Sequence, residues 1–198
     1  MMNGNKDMNP RFTYVPELNL KESERTYLKN YFIDKDRVTL NNFTQIPNQP
    51  NPIFYWLKTK DYIIDYYVSI LQDIMQINES KTIFVVQKPG KNLRPHIDME
   101  SQERHMRVCL FNFPLFLPCN IPTDWYEGTE KVAERWFEED HTKIIDRTFY
   151  NNGETVLLNT KHIHGANNKS NNWRVFFQVT FDEIYEEGVN KYLRWANR

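Results

Sequence analysis

The chain has 198 residues, with 25 Lys and Arg against 26 Asp and Glu and a formal net charge of -1. That length suits one domain with a sizeable core, and the balanced charge leaves no global electrostatic footprint for nucleic acid or an anionic membrane. Neither Cys109 nor Cys119 belongs to a C-x-x-C pair, which argues against a disulfide scaffold or a thiolate zinc site and for a reducing compartment.

The opening "MMNGNKDMNP" has no apolar signal core, and no run approaches the roughly 18 apolar residues of a membrane span. A soluble, cytoplasmic protein without membrane association is expected. Residues 1–52 are rich in Asn, Pro and Lys. They read as a tail followed by a short docking helix, with Tyr27, Leu28, Tyr31 and Phe32 at 3-4 spacing. Residues 53–198 read as a single domain. It opens with an amphipathic helix over about 60–77, whose expected apolar stripe is Ile63, Tyr66, Tyr67, Ile70, Ile74 and Ile77. Core packing accounts for that helix, and no chemistry is assigned to it.

From Lys81 the pattern turns to strands: "KTIFVVQ", "RHMRVCLFNFPL", "TKIIDRTFY", "ETVLLN" and "WRVFFQVTF", separated by turn signals such as "KPGKN" and "NNG". Short strands with little helix between them predict a sandwich or small barrel over about 81–181. The tail 182–198 predicts a C-terminal helix broken near Gly188.

Chemistry concentrates in the histidines. In "LRPHIDMES", His96 and Asp98 stand at i and i+2, which on an extended strand puts both on one side, roughly 7 Å apart. His162 and His164 repeat that spacing in "TKHIHGANN". Two histidines and a carboxylate with open positions left over form the facial triad of non-haem Fe(II) oxygenases. Downstream, Arg174, Phe176 and Gln178 share one face of a predicted strand. An arginine aimed into an apolar barrel calls for a carboxylate, which its planar fork holds in two places. His105 and His141 lie in charged surroundings and read as surface residues.

Together "KPGKNLRPHID", "RVCLFNFPL", "GETVLLNTKHIHGANN" and "RVFFQVTF" resemble the H-x-D...H...R pattern of the Fe(II)/2-oxoglutarate-dependent oxygenase superfamily. The resemblance implies a mainly β protein with a double-stranded β-helix core, a cupin-like jelly roll, buttressed by the N-terminal helices. It implies His96, Asp98 and His164 as iron ligands and Arg174 as partner of the distal carboxylate of 2-oxoglutarate. His164 is preferred to His162 because the family places a small residue after the ligand, as in "HGA". Gln87, Asn112, Thr160 and Arg107 are further candidate contacts to 2-oxoglutarate, and Trp125, Tyr126 and His162 are candidates to face the substrate.

The cofactors implied are Fe(II), 2-oxoglutarate and O2. The expected outcome is hydroxylation, or a demethylation that begins with it, because halogenating members have a small residue where Asp98 stands. A small molecule or a protein side chain is the expected substrate, and the oligomeric state is left open. The rival readings are a cupin-like metal enzyme that does not use 2-oxoglutarate, and a metal-free jelly-roll binding or structural protein.

Overall fold

The described residues of the computed structural model are 9–34, 39–40, 43–45, 54–57, 61–98, 109–117, 121–128 and 143–198. The first half contains β1 (Phe12–Tyr14), α1 (Glu22–Phe32), β2 (Ile33–Asp34), β3 (Thr39–Leu40), β4 (Phe43–Gln45), β5 (Phe54–Leu57) and α2 (Tyr62–Met75). The second half contains β6 (Lys81–Gln87), β7 (Asn92–His96), β8 (Cys109–Phe116), β9 (Thr123–Tyr126) and β10 (Ile144–Thr148). It closes with β11 (Val156–Asn159), β12 (His164–Asn167), β13 (Arg174–Phe181) and α3 (Tyr185–Ala196).

Antiparallel pairing orders a seven-stranded sheet as β1-β11-β8-β13-β6-β5-β4 and a four-stranded sheet as β10-β9-β12-β7. The larger sheet is covered on both sides, so its central strands read as nearly unbroken apolar runs. On one side Phe84, Val86, Phe111, Phe113, Phe177 and Val179 join one core with buried residues of all three helices. On the other, Leu110, Val156, Leu158 and Phe176 meet Trp125 of the smaller sheet. This is the layout expected of a double-stranded β-helix with buttressing helices. No helix among the described residues is long and apolar enough to cross a membrane.

Helix α2 begins where Asp61 Oδ1 accepts the N–H groups of Ile63 and Ile64, and ends at Gln76 in a left-handed conformation, φ 56°. Its packed face differs from the expected stripe: Ile63, Ile64, Tyr67, Leu71, Ile74 and Met75 are buried, whereas Tyr66 is 57% exposed and Ile70 and Ile77 are only half-buried. Tyrosine explains the rotation, since a ring with a polar tip tolerates the rim of a core and leaves the centre to Leu and Met.

Two further expectations change. β1 pairs with β11, and Val15 N–H donates to the Thr155 carbonyl, so part of the stretch read as a tail is a strand of the larger sheet. Helix α3 runs unbroken through Gly188, whose N–H donates to the Ile184 carbonyl. Its glycine answers a different need: a Cβ there would lie 2.4 Å from Cys109 Sγ, so the missing side chain lets α3 approach β8.

Candidate active site

Strand β7 lies at the edge of the smaller sheet, where Pro95, which has no N–H to give a ladder, is tolerated. Its pairing with β12 is irregular: His164 faces His96, but Ala166 faces Leu93, so two residues of β7, Arg94 and Pro95, oppose Gly165 alone. A bulge of this kind re-aims side chains, and Leu93 and His96, three apart, both face the inner cavity. Gly165 is required at this crossing, because a Cβ there would come within 2.7 Å of the Leu93 carbonyl oxygen. The chain then continues extended to Asp98, whose N–H donates to the Thr160 carbonyl.

These constraints bring the ligand atoms of His96, Asp98 and His164 within 4.8 Å of one another, all three residues buried. His96 Nε2 lies 3.4 Å from Asp98 Oδ1, and His164 Nε2 lies 4.0 Å from Asp98 Oδ2. The tautomers follow from the other ring nitrogens. His96 Nδ1 is 2.8 Å from the Arg94 carbonyl and His164 Nδ1 is 2.9 Å from the His162 carbonyl. A carbonyl can only accept, so both Nδ1 atoms carry hydrogen, and in the neutral form that binds a metal each ring has its lone pair on Nε2, the atom beside the carboxylate. Two imidazole lone pairs and a carboxylate, with backbone carbonyls orienting the rings, form a donor set that fits a divalent first-row metal.

Facing this triad across the cavity is the inner side of the larger sheet. Arg174 is only 3% exposed. Its Nη2 donates to Thr123 Oγ1 at 3.2 Å, and its Nη1 to Gln87 Oε1 at 3.4 Å, while its buried Nε has no hydrogen-bond partner among the described residues. The guanidinium lies over the Phe176 ring at 4.4 Å. No carboxylate among the described residues pairs with it, and burial pulls its pKa down to about 10, offset only in part by Tyr150 and Asp124. A buried cation in this condition fits an anionic ligand.

Sequence reasoning missed two members of this cluster. Thr123 lines the cavity and shares a 2.8 Å hydrogen bond with the Tyr150 hydroxyl. Burial pushes the Tyr150 phenol up, against the pull of Arg174 and of hydrogen bonds from Thr123 and Asn112, so it stays a neutral hydroxyl. Nothing local in "IPTDW" or "RTFYNNG" marks these residues; the pairing of β9 with β10, which sets Thr123 opposite Thr148, brings them together.

Among the other candidates, Asn112 and Thr160 line the cavity with His96, Asp98, His164 and Arg174. Gln87 sits behind Arg174 instead. His162 serves His164 through its carbonyl, and its half-buried side chain is not in the cavity lining. Trp125 and Tyr126 belong to β9 rather than to a loop over the site. Trp125 is fully buried with its ring centroid 5.5 Å from that of His164 and its Nε1 donating to Thr148. Tyr126 packs with Ile97 and Ile163. Both side chains are buried in apolar clusters. Arg107, His105 and His141 lie outside the described residues.

No family model and no curated protein matches the chain. Solved structures do. A Pseudomonas putida prolyl-4-hydroxylase superposes with a TM-score of 0.58 at 10% identity, covering 87% of this chain and 92% of that one. The fold is the double-stranded β-helix. HygX from Streptomyces hygroscopicus, solved with nickel and 2-oxoglutarate bound, matches with a TM-score of 0.55 at 13% identity over 88% of this chain and 84% of its own. EvdMO1 matches with a TM-score of 0.57 at 14% identity over 87% of this chain, which spans only 47% of it.

Proposed function

We propose that this protein is an Fe(II)- and 2-oxoglutarate-dependent oxygenase, acting as a hydroxylase on a small molecule or a protein side chain. The observation that carries the reading is the meeting, in one cavity, of a buried His-Asp-His donor set with a buried arginine that lacks a carboxylate. A metal site alone would suit any cupin-like enzyme; the arginine asks for an acid as well. The presence of nickel and 2-oxoglutarate in HygX, which shares the fold, supports the same pairing.

His96 Nε2, His164 Nε2 and the Asp98 carboxylate would hold the iron, which when bound supplies oxidative decarboxylation of 2-oxoglutarate coupled to oxidation of a substrate C–H bond. Arg174 pairs with the distal carboxylate. Thr123 accepts from Arg174 and is hydrogen-bonded to Tyr150, so this hydroxyl pair is placed to stabilise the same anion beside the guanidinium. Leu110, Leu158 and Phe176 line the space between the two ends and exclude water, which strengthens the charge pairing. Asp98 fills the third protein position, consistent with hydroxylation rather than halide insertion.

Anaerobic addition of Fe(II) and then 2-oxoglutarate should produce a weak visible absorption band, and exposure to air should release succinate even without substrate. A protein that binds no metal and makes no succinate would sink the proposal. Binding of metal without any effect of 2-oxoglutarate would leave a cupin-like enzyme of another kind.

A further inference from the structure

Gln87 is a buried polar neighbour of Arg174 that also holds two main-chain carbonyls. It is 1% exposed and stands directly opposite Arg174 in the β6–β13 ladder. Its Nε2 donates to the Ala166 carbonyl at 2.6 Å and the Lys91 carbonyl at 2.9 Å. Both partners can only accept, so the amide cannot be flipped: the NH2 end must face the carbonyls and Oε1 must face the guanidinium. The main chain is fixed as well, since the Nδ2 of buried Asn168 donates to the carbonyls of Gln87 and Lys88.

We propose that Gln87 is a positioning residue: its amide seats the Arg174 guanidinium without neutralising it, and ties that anchor to the strand that carries His164. This rests on Arg174 being the receptor for the distal carboxylate of 2-oxoglutarate. The choice of an amide is what the geometry explains. A carboxylate at this position would accept from Arg174 equally well, but it would cancel the charge meant for an external acid. It would also lose both donors, setting its oxygens against two carbonyl oxygens. An apolar residue would leave both carbonyls without these donors and one side of Arg174 unheld. Ala166 lies two positions beyond His164 on β12, so one side chain sets the spacing between the metal end and the carboxylate end of the cavity.

The test uses the full chain loaded with Fe(II) under anaerobic conditions, with calorimetric titration of 2-oxoglutarate and, separately, of pyruvate. Pyruvate shares the 2-oxo acid end and lacks the distal carboxylate. Gln87→Glu should weaken 2-oxoglutarate about a hundredfold and leave pyruvate within about threefold of the wild type, because the added charge opposes the distal carboxylate that pyruvate lacks. Gln87→Met should weaken 2-oxoglutarate about tenfold through looser seating of Arg174, and it carries the test if the glutamate variant does not fold.

Equal losses for both acids would show general disruption and overturn the positioning role. Arg174→Met separates the two levels of inference. If that variant loses 2-oxoglutarate while both Gln87 variants bind it as the wild type does, the role of Gln87 falls and the oxygenase reading stands. If Arg174→Met itself binds 2-oxoglutarate normally, the reading of Arg174 falls and Gln87 with it.

Discussion

The two faces of the larger sheet are built from alternate residues of the same strands, yet they obey different rules. On the helix side, Phe111, Phe113, Val175, Phe177 and Val179 are wholly buried and wholly apolar. On the cavity side, the neighbours in sequence are Asn112, Arg174, Phe176 and Gln178; Gln178 donates to Asn112 across strands, and Arg174 donates to Thr123 of the smaller sheet. The first face meets elements of its own chain and can be optimised for burial. The second packs in part on Trp125 of the smaller sheet and in part faces the cavity, where it keeps a buried cation and a row of polar groups that a ligand would complete. Stability is thus concentrated on one side of β8 and β13, and chemistry on the other, with a period of two residues between them.

The sharpest way to break this division is on the helix side. Phe113 stacks on Phe177 with ring centroids 4.2 Å apart and 6° between planes, and meets Tyr67 edge-on at 5.4 Å. Phe113→Ala should lower unfolding free energy by about 3–5 kcal/mol, from lost transfer and a cavity the packed helices cannot close. Folded molecules should keep the wild-type affinity for 2-oxoglutarate. Urea unfolding measures the first quantity; a loss under about 1 kcal/mol would mean that this face is not where stability resides.

A smaller effect is expected at the crossing of α3 and β8. Glycine inside a helix ordinarily costs up to about 1 kcal/mol relative to alanine, so Gly188→Ala would stabilise an open helix. Here the new Cβ meets Cys109 Sγ, and the substitution should instead destabilise by about 1–3 kcal/mol. Cys109→Ala removes that sulfur, so in its background Gly188→Ala should become neutral or favourable, a sign reversal that a double-mutant cycle reads directly. Additive effects would show that close approach is not why glycine is there.

Much of this was legible in the sequence. Apolar β-branched and aromatic runs bounded by turn signals mark β6 and β13 to within a residue, because both lie in the middle of a sheet that is covered on both sides. The His96-Asp98 spacing marks one end of the site because alternate residues of an extended chain share a side, whereas the His164-Arg174 interval marks it only through the resemblance to the oxygenase pattern. What the sequence hides is non-local. β9 and β12 are four residues each and too short for a period to show, and β1 is placed by pairing with a strand far along the chain. Thr123 and Tyr150 join the site only after two hairpin strands bring them beside Arg174. The bulge at Pro95 is likewise invisible until β12 is laid against β7. Gly188 was misread for a local reason: a glycine in a helical pattern looks like a break, and only the packing partner shows it to be a close contact.

The cavity face offers the opposite sign, and a smaller magnitude. Burial lowers the pKa of Arg174 to about 10, so folding disfavours its charged form. The unfolded chain then holds the proton more tightly than the folded one, and the resulting cost is fully present at neutral pH, easing only as pH climbs past about 10. Arg174→Met keeps most of the volume and removes the charge. Thr123 still has Tyr150 as a partner, and Gln87 loses one long bond at 3.4 Å. The ligand-free variant should therefore be more stable than the wild type, by about 1–2 kcal/mol, as for other buried charges replaced by apolar residues. Added Fe(II) and 2-oxoglutarate should raise the wild-type melting temperature much further than that of the variant. A variant less stable than the wild type without ligand would show that Arg174 supports the fold by itself, and the two faces of the sheet would no longer be doing separate work.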